Sequence, residues 1–142
     1  MKRALLFIVC GFGLVRCGGS NSAGPCEHTY EDPVIHIVSV ASTTTHLPVP
    51  GFKIAEVFRD NAQRTASALR SVSYNVAAYD SILYCNAPCG FGFETGNYRF
   101  KVSAQGYRDT VIAVTANYAI TMAGCPSSSS GGTEMSIALQ PG

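Results

Sequence analysis

The stretch Gly96-Asn97-Tyr98-Arg99-Phe100-Lys101-Val102-Ser103-Ala104-Gln105-Gly106-Tyr107-Arg108 decides how the rest of the chain is read. Gly96-Asn97 is a turn signal. Tyr98, Phe100, Val102 and Ala104 then alternate with Arg99, Lys101, Ser103 and Gln105, the period-2 pattern of a strand with one buried face and one wet face. Gly106 ends the alternation. Tyr107 follows with an apolar ring and a polar tip, suited to closing the edge of a core.

Toward the C-terminus, Asp109 to Ala116 is strand-like, with Val111 and Ala113 on one face and Ile112 and Val114 on the other. Tyr118 to Met122 continues it beyond Asn117. Cys125 to Thr133 holds four serines and two glycines and reads as a flexible hairpin loop. Met135, Ile137 and Leu139 alternate with Glu134, Ser136 and Ala138 as a last strand.

Toward the N-terminus, Gly90-Phe91-Gly92-Phe93 alternates with glycine, which marks a close backbone approach. Cys85 to Gly90 reads as a tight loop and Ser81 to Tyr84 as a short strand. Val72, Tyr74, Val76 and Ala78 mark another strand, preceded by a long loop or short surface helix over Asp60 to Leu69. Phe52, Ile54, Glu56 and Phe58 share one strand face, which places Glu56 near an edge or a loop. In Val34 to Ala41, Val34, His36, Val38 and Val40 share one face, while Ile35 and Ile37 begin the other. About seven strands with turns between them predict an all-β fold, a single antiparallel β-sandwich over residues 33–142.

The first sixteen residues read differently. Lys2 and Arg3 precede a run from Ala4 to Val15 of apolar residues and glycines, shorter than the roughly twenty residues a membrane span needs and matching a secretory signal peptide. Leu14-Val15-Arg16-Cys17 resembles a bacterial lipoprotein box, in which Cys17 becomes the lipidated N-terminus. Arg16 stands where the processing peptidase normally takes a small residue, so a freely secreted or periplasmic chain is the alternative. Residues 17–32 are then the lipidated Cys, a flexible tether and a lead-in segment. Without Lys2, Arg3 and Arg16 the chain carries seven basic and nine acidic residues. It has no basic cluster to displace counterions from phosphate, which argues against nucleic acid as a partner.

Candidate chemistry is sparse. Cys26, Cys85, Cys89 and Cys125 form an even set in an exported chain and are disulfide candidates. Three connectivities are open; the reading leans to Cys85–Cys89 as a local loop and Cys26–Cys125 as a long-range tie. His28, His36 and His46 lack the spacing of a metal site, and no Gly-x-Ser-x-Gly occurs. No catalytic residue, metal or cofactor is assigned. Phe91, Phe93 and Tyr98 are the candidate aromatic strip for a glycan or protein partner.

From Gly96 onward the chain resembles the carboxypeptidase regulatory-like domains, which are transthyretin-like (prealbumin-like) β-sandwiches, in their short exported bacterial form. Gly96, Tyr98, Val102, Ala104, Gly106 and Tyr107 carry the hallmark strand, Val111, Ile112 and Val114 the next, and Ile137, Leu139 and Pro141 the closing one. Cys89 and Cys125 match cysteines that recur in that family. The resemblance implies a non-catalytic module. The expected function is a non-enzymatic cell-envelope lipoprotein at the outer membrane or cell surface, held by its lipid anchor, with an envelope protein or a glycan as partner. A small carbohydrate- or peptide-binding module is the alternative.

Overall fold

The computed structural model describes residues 25–69 and 73–142. The expected signal peptide, Cys17 and most of the tether lie outside the described residues, as does Val72, where the sequence begins its third strand. The protein is all-β, with sheets in a sandwich-like, partly barrel-shaped arrangement. Its strands are β1 (His28–Tyr30), β2 (Ile35–Ser42), β3 (Phe52–Arg59), β4 (Ala62–Gln63), β5 (Tyr74–Tyr79), β6 (Ile82–Phe91), β7 (Gly96–Ser103), β8 (Thr110–Ala116), β9 (Ile120–Met122), β10 (Ser127–Ser130) and β11 (Thr133–Leu139). A single turn of helix, α1 (Ala66–Leu69), buries Ala66 and Leu69.

The main sheet runs β11-β2-β6-β3-β7-β8, with β4 added to β3 and β5 to β6. Along one edge β6 serves two partners, Leu83 to Cys85 pairing with β3 and Cys89 to Phe91 with β2, while β5 pairs along the other. The sheet therefore folds over at β6. Ile35, Ile37 and Val40 of β2 and Ile137 and Leu139 of β11 join one buried cluster with Ile54 and Val57 of β3 and Phe100 and Val102 of β7. Phe91 meets Phe100 edge-on within it, centroids 5.4 Å apart, a favoured geometry for aromatic quadrupoles.

Among the described residues, the hydrogen bonds that join the two ends of the wrapped sheet lie at their tips. Arg108 N–H donates to Gln140 O (2.8 Å) at one end, and Ala119 N–H donates to Gly131 O (2.7 Å) at the other. Asn117 N–H and the Thr133 hydroxyl add a second tie there, at 2.9 Å.

The sheet is mixed, not purely antiparallel. β11 runs parallel to β2, and β1 parallel to β10. The connection between each of these pairs is most of the domain, so no hairpin forces an antiparallel sense.

Two bulges change which residues face inward. In β2, Ile37 pairs with Met135 but Ser39 with Ser136. The extra residue, Val38, is thrown outward to 41% exposure, while Ile35, Ile37 and Val40 are buried. In β3 the register slips between Ala55 and Phe58, and Glu56 takes a φ of 52°. The bulge sends the Glu56 carboxylate to solvent and turns Val57 inward. A charged group is thereby spared burial, and an apolar one is removed from water.

Two segments read as loops are strands. β6 runs through Cys85 to Gly90, and the expected loop survives only as a bulge on the β5 side: Val76 pairs with Cys85 and Tyr74 with Gly90. Asn75 donates from Nδ2 to Pro88 O across it, 2.8 Å. Gly90 does sit at a close approach, since a Cβ there would lie 2.5 Å from Pro33 Cγ and 2.6 Å from Tyr74 Cε1. The serine run 127–130 is β10, not a loop, because β1 and β9 satisfy its backbone groups on both sides.

The three short strands β1-β10-β9 form a separate sheet. Cys26 is bonded to Cys125 just before it, Cα atoms 5.1 Å apart. The separation of 99 residues is also that of the His28–Ser127 pair, so the disulfide continues the register of the parallel ladder.

Candidate functional site

Where the small sheet faces the main one, a cleft of about 390 Å³ opens, lined by His28, Tyr30, Arg59, Glu94, Thr95, Tyr118, Thr121 and Ser129. Six segments supply these residues. β1 brings His28 and Tyr30, and β10 and β9 bring Ser129 and Thr121. The end of β3 brings Arg59, the β6–β7 connection brings Glu94 and Thr95, and the chain after β8 brings Tyr118. Parallel pairing of β1 with β10 sets Tyr30 beside Ser129, which places His28 and Tyr30 on the same wall as the serines.

The cleft is held by its own hydrogen bonds. His28 bridges two serines, Nδ1 to Ser127 Oγ at 2.8 Å and Nε2 to Ser129 Oγ at 3.0 Å. A neutral imidazole that donates to one serine accepts from the other. Tyr30 is the centre of a ring cluster, 4.7 Å from His28, 5.3 Å from Phe93 and 5.8 Å from Tyr118. The Tyr118 hydroxyl donates toward Phe93 O (2.9 Å) and Asp32 O (3.1 Å). Asp32 in turn accepts Gly131 N–H at 3.0 Å.

Arg59 Nη1 lies 2.7 Å from Glu94 Oε2, and Arg64 Nη2 lies 3.4 Å from the same oxygen. Asp60 Oδ2 is 4.0 Å from Arg59 Nε. Two guanidiniums thus face two carboxylates, and the wall carries no net charge. Tyr98, behind Glu94, donates its hydroxyl to Glu94 O at 2.8 Å. Burial pushes the Tyr98 phenol up to about 12, against the pull of Arg59 toward ionisation. Burial, helped by Tyr30, also raises the Tyr118 phenol. Both rings are neutral donors across the ordinary pH range.

The residues singled out from sequence fall elsewhere. Phe91 is fully buried and Tyr98 is 3% exposed. Phe93 is half-buried behind Tyr30. They form no exposed strip: alternation on β6 and β7 points Phe91 and Tyr98 into the core, and only Phe93 reaches the back of the cleft. His36 bonds the Tyr74 hydroxyl at 3.2 Å, and His46 sits exposed in a turn, so the three histidines do not converge. Among the described residues no group of three or more His, Cys, Asp or Glu is placed to hold a metal ion.

Of the cysteines, the pairing Cys26–Cys125 is present. Cys85 and Cys89 are instead two buried free thiols. The β6 bulge brings them together as hydrogen-bonded neighbours, and that bond, followed by burial, raises the Cys85 thiol.

A second, larger groove of about 660 Å³ lies where 51–53, 84–86 and 103–105 meet. Its floor is Phe52 and Cys85, both buried, and its ring, Tyr84, already carries Lys53 Nζ at 5.5 Å from the centroid. Its aromatic surface is partly occupied by the protein's own cation.

Tyr30 and Tyr118 were not picked out from sequence, because 88 residues separate them. The Cys26–Cys125 pairing sets the residues just after one cysteine beside those just after the other, Tyr30 beside Ser129, but carries no signal for Tyr118, which precedes Cys125. Fold and cleft define an all-β, sandwich-like protein with a polar, ring-lined cleft between two sheets. Compared with known proteins, the chain matches no family model, no curated protein and no solved structure.

Proposed function

We propose that the chain is a non-enzymatic interaction module of the cell envelope, exported by residues 1–16 and held at the membrane through lipidated Cys17. On this reading its body is a prealbumin-like sandwich of the carboxypeptidase regulatory-like kind. The observation that carries it is the Cys26–Cys125 disulfide, a bond that persists in oxidising compartments outside the cytoplasm. The bond fastens the lead-in segment to the domain nine residues after Cys17, where a tether would deliver its load. The Gly96–Tyr107 hallmark strand supports the family reading.

The test is the intact mass of the protein from the membrane fraction, before and after reduction and alkylation. The expected product begins at Cys17 with three acyl groups and has one disulfide, opened only by reductant. Full-length, unprocessed chain in the cytosolic fraction would sink the proposal. A soluble chain beginning beyond Cys17 would instead assign it to the freely secreted alternative.

The cleft favours a second reading within the first, that the module binds a carbohydrate.

A further inference from the structure

We infer that the cleft between the two sheets is a binding site for a neutral oligosaccharide, contacted through Tyr30, Arg59, Glu94 and Thr95. The inference rests on reading the protein as an interaction module and names the class of its ligand.

The composition of the wall points to this ligand. All eight lining side chains carry a hydrogen-bonding group, three of them are rings, and none is aliphatic. A sugar presents hydroxyls that both donate and accept, and a C–H face that lies against an aromatic ring. The cleft offers the complements of both. Sites of roughly 300–1,000 Å³ are the usual size for small ligands, and the cleft falls within that range.

Several of these groups are left over from the fold. The Tyr30 and Thr95 hydroxyls have no hydrogen-bond partner among the described residues. The Arg59 side chain stays 20% exposed at the cleft, with the carboxylates of Glu94 and Asp60 beside it. Glu94 stands 2.7 Å from the same guanidinium, so one carboxylate and one N–H donor can take two adjacent hydroxyls together.

Charge and shape exclude the nearest alternatives. Arg59 and Arg64 are matched by Glu94 and Asp60, which gives an anion no advantage. A peptide bound through apolar side chains would need apolar pockets, and every residue lining this wall carries a polar group.

The experiment is calorimetric titration of the purified mature protein with cellotetraose, chitotetraose and maltotetraose. At least one is expected to bind with a millimolar or tighter Kd. Thr95→Val, an exposed isosteric change that removes only the hydroxyl, should weaken that binding about three- to tenfold, the loss of one hydrogen bond. Tyr30→Phe should do the same. Tyr84→Ala, in the larger groove, should leave it unchanged. The site is overturned if none of the three sugars binds, or if binding survives Thr95→Val and Tyr30→Phe undiminished. A membrane-anchored protein that ignores all three sugars removes this inference alone. A sugar-binding protein found in the cytosol removes the anchoring alone.

Discussion

The main sheet and the small sheet hold together by different means. The main sheet buries a continuous cluster from Val34 to Leu139, with Phe91 and Phe100 at its centre. The small sheet has no such interior. Its outer strand β9 is exposed throughout and β10 is four serines. It is kept in place by Cys26–Cys125, by the His28 bridge to two serines, and by backbone ladders. Apolar burial is proportional to area and indifferent to direction, whereas a crosslink and polar bonds act at fixed points and leave the surface between them wet. That difference allows a polar cleft to exist at the edge of an apolar domain.

The contrast is broken most strongly from the core side. Phe100→Ala removes a fully buried ring and should lower stability by about 3–5 kcal/mol, read from urea unfolding, with the small sheet lost in the same transition. Cys26→Ser with Cys125→Ser should cost about 2–4 kcal/mol. Hydrogen exchange should then rise first in β1 and β10 while β2, β3 and β7 stay protected. Uniform loss of protection would show that the two regions are one unit.

Alkaline pH acts at the boundary between them. The folded state holds the Tyr98 phenol at about 12, above its ordinary 10. Its contribution is therefore complete below pH 10 and is lost as pH rises from 10 through 12, on the order of 2–3 kcal/mol. Denaturation at pH 9 and pH 11.5 reads the difference; Tyr98→Phe should reduce it, and the buried Tyr118 phenol should supply part of what remains. The smallest effect is expected from Ser127→Ala, which removes one exposed bond to His28. It should cost about 0.5–1 kcal/mol, measured as a small decrease in Tm.

How far each region was legible follows from the same contrast. β7 and β11 match their expected alternation, through an unbroken seven-residue ladder between β7 and β8 and a regular inner face on β11. The expected continuation of β8 from Tyr118 to Met122 is overturned: β8 stops at Ala116, and Ile120–Met122 joins the small sheet as β9. β2 and β3 were located, but their faces were misassigned. A bulge adds one residue and flips every later side chain, and neither Val38 nor Glu56 announces itself as a bulge. Pro88 and Gly90 made half of β6 resemble a loop, although β2 pairs with it. β10 was missed because four serines carry no apolar period; neighbours, not propensity, make it a strand. The cleft is least legible, since its rings come from positions 28, 30 and 118: Cys26–Cys125 hints that His28 and Tyr30 meet the serines of β10, and no pattern brings Tyr118 to them.

That disulfide also sets how the molecule would bear force. The cleft residues His28, Tyr30, Thr121 and Ser129 all lie within four positions of one of its cysteines. A pull on the chain before Cys26 that is taken up at His28, Tyr30 or Ser129 would run along these few residues or across the sulfur–sulfur bond. The 98 residues enclosed between Cys26 and Cys125 cannot be drawn out while the bond is intact. The core strands would sit beside the line of tension instead of in series with it, so a handle grafted before Cys26 could be loaded without unzipping them.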